Sequence, residues 1–309
     1  MIFGKIDYLN LLPFSVFLKG CRAPNAFKAA LNYHKGVPSA MSEALVKGRI
    51  DAAVISSVEA RRAHFKRLEL GICAQAAVKS VLVRLGEKKP DAASRTSNAL
   101  SEILGVEGEV VIGDRALRLY LQEWRKSEAR AAAGAVQNVA QSETAGAVQS
   151  EAKGGLKNAG ILRKDALSDG KTLSSCNKTP NGGQTPYKAA KRSFYAGKKS
   201  TKQQRFFEDE ELKDLGLLWR ERTNLPFVFG LFSAQKGEQF FTRLVRSFNK
   251  RPVKIPRYIL AEYAAQRGVS EADILWYLGF IHYKITTKER LSLRLFYRLA
   301  RQNGVKTLR

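Results

Sequence analysis

The stretch Asp51-Ala52-Ala53-Val54-Ile55-Ser56-Ser57 is a short apolar run that begins at a carboxylate and ends in two hydroxyl side chains. An apolar run of this length between polar residues is typical of a strand buried in a sheet. A helix is predicted directly after it, over residues 58–65. Because a strand that leads straight into a helix is the building unit of α/β proteins, this stretch predicts the fold class.

The same alternation continues on both sides of this stretch. Further strands are predicted over residues 2–6, 70–74, 80–85, 109–112 and 226–232. Helices are predicted over residues 38–47, 97–104, 115–124 and 207–222, and residues 236–308 are predicted to be mostly helical. Strands that alternate with helices indicate parallel sheets with helices on both faces.

The chain is predicted to cross between two such sheets, once between the strands around Cys73 and Val81 and again near Phe229. We therefore expect a two-lobed α/β protein like the periplasmic solute-binding proteins, with a ligand cleft between the lobes. The expected boundaries are 1–75 with 233–309 for the first lobe, and 76–126 with 206–232 for the second.

Residues 127–205 differ from the rest of the chain in composition. They are rich in small and polar residues, and the stretch Ala133-Gly134-Ala135-Val136-Gln137 recurs as Ala145-Gly146-Ala147-Val148-Gln149. A segment with so few large apolar side chains cannot offset the entropy cost of becoming ordered. We predict a disordered low-complexity insertion within the second lobe.

The net charge of +25 over 309 residues raises the question of an anionic partner. The basic residues are scattered, and no nucleic-acid-binding motif accompanies them, so we expect neither a nucleic-acid partner nor a membrane. No apolar run is long enough to span a bilayer, and the first residues lack the pattern of a secretory signal. The three cysteines are an odd number in no metal-binding spacing. These cysteines and the absence of a secretory signal pattern predict a cytoplasmic protein.

Small hydroxyl side chains recur where predicted strands or loops meet helices. The junctions are Gly36-Val37-Pro38-Ser39, Ile55-Ser56-Ser57 and Ser94-Arg95-Thr96-Ser97, with a related turn at Ile112-Gly113-Asp114. Each one alone is explained by helix capping. If several converge on one cleft, their hydroxyls and the free N–H groups of the helix starts favour a small dicarboxylate ligand.

The usual catalytic constellations are missing from the sequence. His34, His64 and His282 lie in no metal-binding or nucleophile motif, and no phosphate-binding glycine loop is present. An enzyme with this inventory must rely on orienting a substrate that supplies a reactive group of its own.

Several segments together resemble the chorismate dehydratases of the futalosine route to menaquinone. They span the chain outside the insertion and are Asp7-Tyr8-Leu9-Asn10-Leu11-Leu12-Pro13, Gly36-Val37-Pro38-Ser39, residues 51–57, Lys79-Ser80-Val81, Ser94-Arg95-Thr96-Ser97, residues 112–117, Asp214-Leu215-Gly216 with Trp219, and residues 223–229. The resemblance implies a type II solute-binding fold with neither a metal nor an organic cofactor. It also implies chorismate as the substrate, converted to 3-[(1-carboxyvinyl)oxy]benzoate with loss of water.

The resemblance further implies roles for individual residues. Asn10 matches a cleft asparagine that is expected to be catalytic, Ser80 matches a substrate-binding serine, and Thr96 with Ser97 matches a pair of hydroxyl residues. Ser57 and Ser39 are further candidates for substrate binding. The chain departs from the family pattern at Ala76-Ala77, Asn224 and Phe232, where Gly-Pro, glycine and commonly tryptophan are usual.

Other functions remain open on the sequence alone. The sister enzyme of the same pathway and fold, which makes dihydroxynaphthoate, usually needs a basic cleft residue such as histidine. A non-catalytic cytoplasmic protein that binds carboxylates would share the fold, because a fold does not fix a function. Nucleic-acid binding would rest on charge alone, and its affinity would fall steeply with salt.

Overall fold

The computed structural model describes residues 1–150 and 212–307. Within them, two sheets account for the strands. The larger contains β1 (Phe3–Ile6), β2 (Lys35–Gly36), β3 (Ala52–Ser56), β4 (Lys66–Ala74), β8 (Phe227–Ala234) and β9 (Ile281–Lys284), in the order β2-β1-β3-β8-β4-β9. The smaller contains β5 (Val81–Leu85), β6 (Gly108–Ile112) and β7 (Leu212–Asp214), in the order β6-β5-β7.

The helices surround these sheets. They are α1 (Leu12–Gly20), α2 (Asn25–Tyr33), α3 (Pro38–Val46), α4 (Ser57–Ala60), α5 (Arg95–Leu104), α6 (Gly113–Ser150), α7 (Leu215–Thr223), α8 (Glu238–Lys250), α9 (Arg257–Arg267), α10 (Glu271–Leu278) and α11 (Thr287–Gln302), with a 3₁₀ turn at Leu9–Leu11. The chain is thus a mixed α/β protein, as predicted. No helix in the described ranges is long and apolar enough to cross a membrane.

The strand directions correct the expectation of parallel sheets. β1 runs parallel to β2 and β3, but β8 is antiparallel to both β3 and β4, and β4 is antiparallel to β9. The small sheet is antiparallel throughout its described pairs. The apolar periodicity of the sequence did not reveal these strand directions. Every residue of β3 and β8 is buried, and a strand covered on both faces has the same apolar pattern in either direction.

The position of β8 in the larger sheet was not expected from the predicted lobe boundaries. Residues 226–232 were assigned to the second lobe, yet β8 lies between β3 and β4 in the larger sheet. Its eight residues are all buried. Phe232 packs in the core against Phe3, at a ring-centroid distance of 5.4 Å, and edge-on to Phe14 at 6.1 Å. Phe232, which stands where the family commonly has tryptophan, therefore lies in the core of the larger sheet.

The departure at Asn224 is explained by backbone conformation. Asn224 ends α7 in the left-handed region, with φ 57°, and its N–H donates to the carbonyl oxygen of Arg220 at 2.8 Å. Glycine adopts this conformation without strain, and asparagine is one of the few other residues that tolerate it. The substitution therefore preserves the end of the helix.

The predicted insertion is helical where the structure describes it. The sequence predicts that this helix ends at Trp124, whereas α6 continues to Ser150 and so includes residues 127–150 of the predicted insertion. The alanines of this stretch favour a helix even without an apolar stripe, because alanine has the highest helix propensity. Residues 151–205 of the predicted insertion lie outside the described residues. Contacts divide the chain into one compact unit of residues 1–126 with 207–309 and a second of residues 127–206.

Candidate functional site

A cleft of about 470 Å³, its open mouth included, lies where residues of both sheets face each other. Strands β1, β3, β4, β5, β6 and β8 and the 3₁₀ turn all contribute side chains to it, and the described lining residues are Ile6, Tyr8, Asn10, Pro38, Val54, Ile55, Ser56, Ile72, Ser80, Val81, Ser94, Ser97, Ile112, Gly113, Phe229 and Gly230. The walls are mostly apolar, with a few hydroxyls and one amide.

Two of the predicted junctions converge behind this cleft. Ser56 at the end of β3 and Thr96 in the first turn of α5 lie 2.6 Å apart, oxygen to oxygen. The N–H of Val58 also donates to the Thr96 hydroxyl, at 3.2 Å. Residues 40 positions apart in the sequence are thus joined directly, which supports the expectation that the strand–helix junctions meet.

The start of α5 brings Ser97 to the cleft and leaves Thr96 behind it. Ser94 is the N-cap of α5, where its hydroxyl accepts from the N–H of Ser97 at 3.2 Å. The hydroxyls of Ser94 and Ser97 are 2.8 Å apart, and both residues line the cleft. Thr96 is fully buried and is not among the lining residues. Its hydroxyl therefore holds the junction together.

The two further candidates, Ser57 and Ser39, also lie outside the described lining. Ser57 is fully buried, and its hydroxyl donates to the carbonyl oxygen of Val228 at 2.6 Å, which ties the start of α4 to β8. Ser39 is half-buried in the first turn of α3, although its neighbour Pro38 does line the cleft. The structure thus places both serines in supporting positions.

Asn10 lies at the cleft on the 3₁₀ turn that follows β1. Its carbonyl oxygen accepts a hydrogen bond from the phenol of Tyr283 at 2.7 Å, which fixes the backbone of the turn. Its side-chain oxygen Oδ1 is buried and has no hydrogen-bond donor within the described part of the chain. A buried acceptor without a donor is costly, so this atom indicates a place where a ligand donates a hydrogen bond.

A group of charged side chains supports the Asn10 turn from outside the cleft. Arg267 contacts two carboxylates, Asp114 Oδ2 at 2.7 Å and Asp7 Oδ2 at 3.2 Å. Asp114 Oδ1 in turn accepts from the N–H of Leu9 at 3.0 Å. Burial raises the pKa of Asp114 above its ordinary value, although the N–H of Leu9 and the Arg267 guanidinium oppose this. Burial also acts to raise the pKa of Asp7, but Lys5 and the other partners outweigh it and lower that pKa.

Ser80 reaches the cleft from a loop that one carboxylate holds in place. Asp214 accepts hydrogen bonds from the N–H groups of Val78 at 3.0 Å and Lys79 at 2.8 Å. The same carboxylate caps α7 by accepting from the N–H groups of Gly216 and Leu217. The Asp-Leu-Gly segment therefore matters here because it fixes the backbone on the N-terminal side of Ser80.

Sequence reasoning missed several residues of the site. Ser56 and Ser94 lie within the junctions of the sequence analysis and line the cleft, but they are not among its candidate site residues. Tyr8 neighbours Asn10 in the sequence, and it is the single ionisable side chain among the described lining residues. Burial raises the pKa of its phenol, which stays protonated. Phe229 lies in β8, whose placement in the larger sheet was not foreseen.

A family model described as menaquinone biosynthesis matches residues 1–109 and 201–302. The chain belongs to the menaquinone biosynthesis family. A relative in the same family is the chorismate dehydratase of Campylobacter jejuni subsp. jejuni, 34% identical over 298 residues that cover 96% of each chain.

A solved structure shows a related fold. The crystal structure of a protein from Archaeoglobus fulgidus aligns with this family member at a TM-score of 0.50 and 11% sequence identity, covering 98% of this chain and 97% of the other. At that identity the likeness concerns the fold alone.

Proposed function

We propose that the protein is a chorismate dehydratase, a hydro-lyase that converts chorismate to 3-[(1-carboxyvinyl)oxy]benzoate and water in menaquinone biosynthesis. The observation that carries the proposal is the unpartnered Oδ1 of Asn10 in a cleft lined by serine hydroxyls. The full-length likeness to a chorismate dehydratase supports it. The protein would act in the cytoplasm without a metal or organic cofactor.

The proposal includes a two-lobed arrangement of the type II solute-binding kind. The larger sheet, with β8, would form one lobe and the smaller sheet the other. The lining supports this, because Val54, Ile55 and Phe229 come from the larger sheet while Val81 and Ile112 come from the smaller one. A ligand in the cleft would contact both lobes.

The polarity of the cleft fits the groups of chorismate. Its two carboxylates are acceptors, and serine hydroxyls can donate to them. Its hydroxyl at C4 is the one hydrogen-bond donor it carries when both carboxylates are ionised. The unpartnered Oδ1 of Asn10 would therefore accept from the C4 hydroxyl, which is the group that leaves. Ser80 and Ser97 would donate to carboxylate oxygens.

The reaction would draw on groups of the substrate. The proton on C3 passes to the enolpyruvyl carboxylate, the C3–H electron pair forms the new ring double bond, and the C4–O bond breaks. The departing hydroxide takes up that proton and leaves as water. Negative charge that develops at C3 is conjugated to the ring carboxylate, so donors held on that carboxylate stabilise it in the transition state.

The lining explains why the substrate would supply the base. Among the described lining residues there is no carboxylate, imidazole or amine, and the phenol of Tyr8 stays protonated. Folding the enolpyruvyl carboxylate over C3 would replace an enzyme base through proximity. The same lining disfavours the sister reaction that makes dihydroxynaphthoate, because none of His34, His64 and His282 is among these residues.

The proposal is tested by incubating the purified protein with chorismate and measuring the aromatic product. Wild type should form it, and Asn10→Ala should lower kcat by about tenfold to a hundredfold, since a lost hydrogen bond to a reacting group costs about 1.5–3 kcal/mol. Asn10→Asp is the matched variant, because it keeps an acceptor oxygen of the same size. Product formed at the wild-type rate by Asn10→Ala would refute the assigned role, and binding of chorismate without turnover would indicate a carboxylate-binding protein.

A further inference from the structure

A second hydroxyl contacts Ser80 from the side away from the cleft. The phenol of Tyr277, in α10, donates to Ser80 Oγ at an oxygen–oxygen distance of 2.7 Å. Ser80 and Tyr277 are each about 1% exposed, and they are 197 positions apart in the sequence. The bond therefore joins a residue at the start of the smaller sheet to a helix near the C-terminal end of the chain.

This bond determines what the Ser80 hydroxyl can do. A serine hydroxyl has one proton to donate, and its oxygen here accepts a hydrogen bond from the phenol of Tyr277. No acceptor for the proton of Ser80 itself is found in the ranges 1–150 and 212–307. Because Ser80 lines the cleft, a ligand with an acceptor oxygen can accept a hydrogen bond from this hydroxyl. Accepting one hydrogen bond also makes a hydroxyl a stronger donor in the next.

The backbone on both sides of the bond between Ser80 and Tyr277 is held in place. On one side of Ser80 the N–H of Lys79 is held by Asp214, and the carbonyl oxygen of Ser80 accepts from the N–H of Gly113 at 2.8 Å. Helix α10 is fixed at its start by a capping box between Ser270 and Asp273. Burial raises the pKa of Tyr277, so its phenol remains a donor at neutral pH.

We propose that Tyr277 is a positioning residue for substrate binding, which orients the Ser80 hydroxyl as a donor to a carboxylate of the substrate. This inference rests on the proposed function. It assigns to Tyr277 an effect that acts entirely through Ser80, with no contact of its own to the ligand.

A double-mutant cycle tests the inference. Tyr277→Phe, Ser80→Ala and the double variant are compared with wild type for KM and kcat with chorismate and for the Kd of chorismate by calorimetry. Tyr277→Phe should raise KM and Kd about tenfold, the equivalent of about 1.4 kcal/mol. In the Ser80→Ala background the same substitution should change KM less than twofold, because the hydroxyl through which Tyr277 acts is absent.

A matched control separates positioning from general destabilisation. Ser292→Ala removes a buried hydrogen bond from the indole of Trp219, 3.0 Å long, in a part of the core that does not line the cleft. It should lower Tm about as much as Tyr277→Phe and leave KM within twofold of wild type. If it raises KM equally, Tyr277 has only a structural role.

The remaining outcomes distinguish the two proposals. A wild-type KM for Tyr277→Phe, or an effect that adds in full to that of Ser80→Ala, overturns the role of Tyr277 and leaves the proposed function intact. A wild type that binds chorismate without converting it refutes the dehydratase, and the cycle then decides the positioning role from Kd. A wild type that does neither overturns both.

Discussion

The turn that carries Asn10 and the loop that carries Ser80 present their side chains to the same cleft but are held by different interactions. Behind the turn, Arg267 joins the carboxylates of Asp7 and Asp114 in partly buried ion pairs. Behind the loop, backbone N–H groups converge on the single carboxylate of Asp214. One wall of the cleft therefore depends on ion pairs between side chains, and the other on hydrogen bonds from backbone N–H groups to one carboxylate.

The largest expected effect comes from unbalancing the charged wall. Arg267→Met would leave the largely buried carboxylate of Asp114 without a cation, while Asp7 keeps Lys5 at 3.0 Å, and should lower the free energy of unfolding by about 3 kcal/mol. Urea denaturation would measure this. Arg257→Met is the control in the same helix, because that arginine is 92% exposed and its ion pair with Glu271 is 3.8 Å long. It should change stability by less than about 0.5 kcal/mol, and equal losses in the two variants would contradict the role given to Arg267.

The loop is tested by removing its acceptor. Asp214→Ala deprives four N–H groups of their partner and should lower the unfolding free energy by about 2 kcal/mol, with an increase in KM as Ser80 moves. Asp214→Asn keeps one acceptor oxygen and should fall between wild type and alanine. Denaturation and steady-state kinetics on the three proteins supply the comparison. An asparagine variant as impaired as the alanine variant would show that the negative charge, and not the N–H contacts, holds the loop.

The smallest expected change in stability concerns Gly113, where the two walls meet. Its φ is +65°, and a Cβ there would lie 2.8 Å from the ring of Tyr8. Gly113→Ala should cost about 1–2 kcal/mol for the left-handed conformation and displace Tyr8, which lowers turnover. Gly105→Ala separates these effects, because Gly105 has φ +68° with nothing within 4 Å of the added atom. The control should lose similar stability and keep full activity. A fully active Gly113→Ala would show that the close approach of residue 113 to Tyr8 is not needed for turnover.

The parts of the site that sequence reasoning predicted are those determined by local patterns. Strand β3, its hydroxyl ending and the start of α5 follow from apolar runs and capping residues, so Ser97 was correctly placed in a junction that reaches the cleft. The contact of Tyr277 with Ser80 has no local pattern, because periodicity indicates that a tyrosine is buried but not what it touches. Strand β9 was missed for a similar reason, since four residues with one buried position offer no alternation to recognise.

The strand order has a consequence for how the chain acquires its fold during synthesis. β3 and β4 follow each other closely in the sequence, yet each pairs with β8, which lies between them in the sheet. The ribosome completes β8 only at residue 234, well after both of its neighbours have emerged. Until then the edges of β3 and β4 that later pair with β8 remain unpaired in the nascent chain. Unpaired strand edges can bind wrong partners or chaperones.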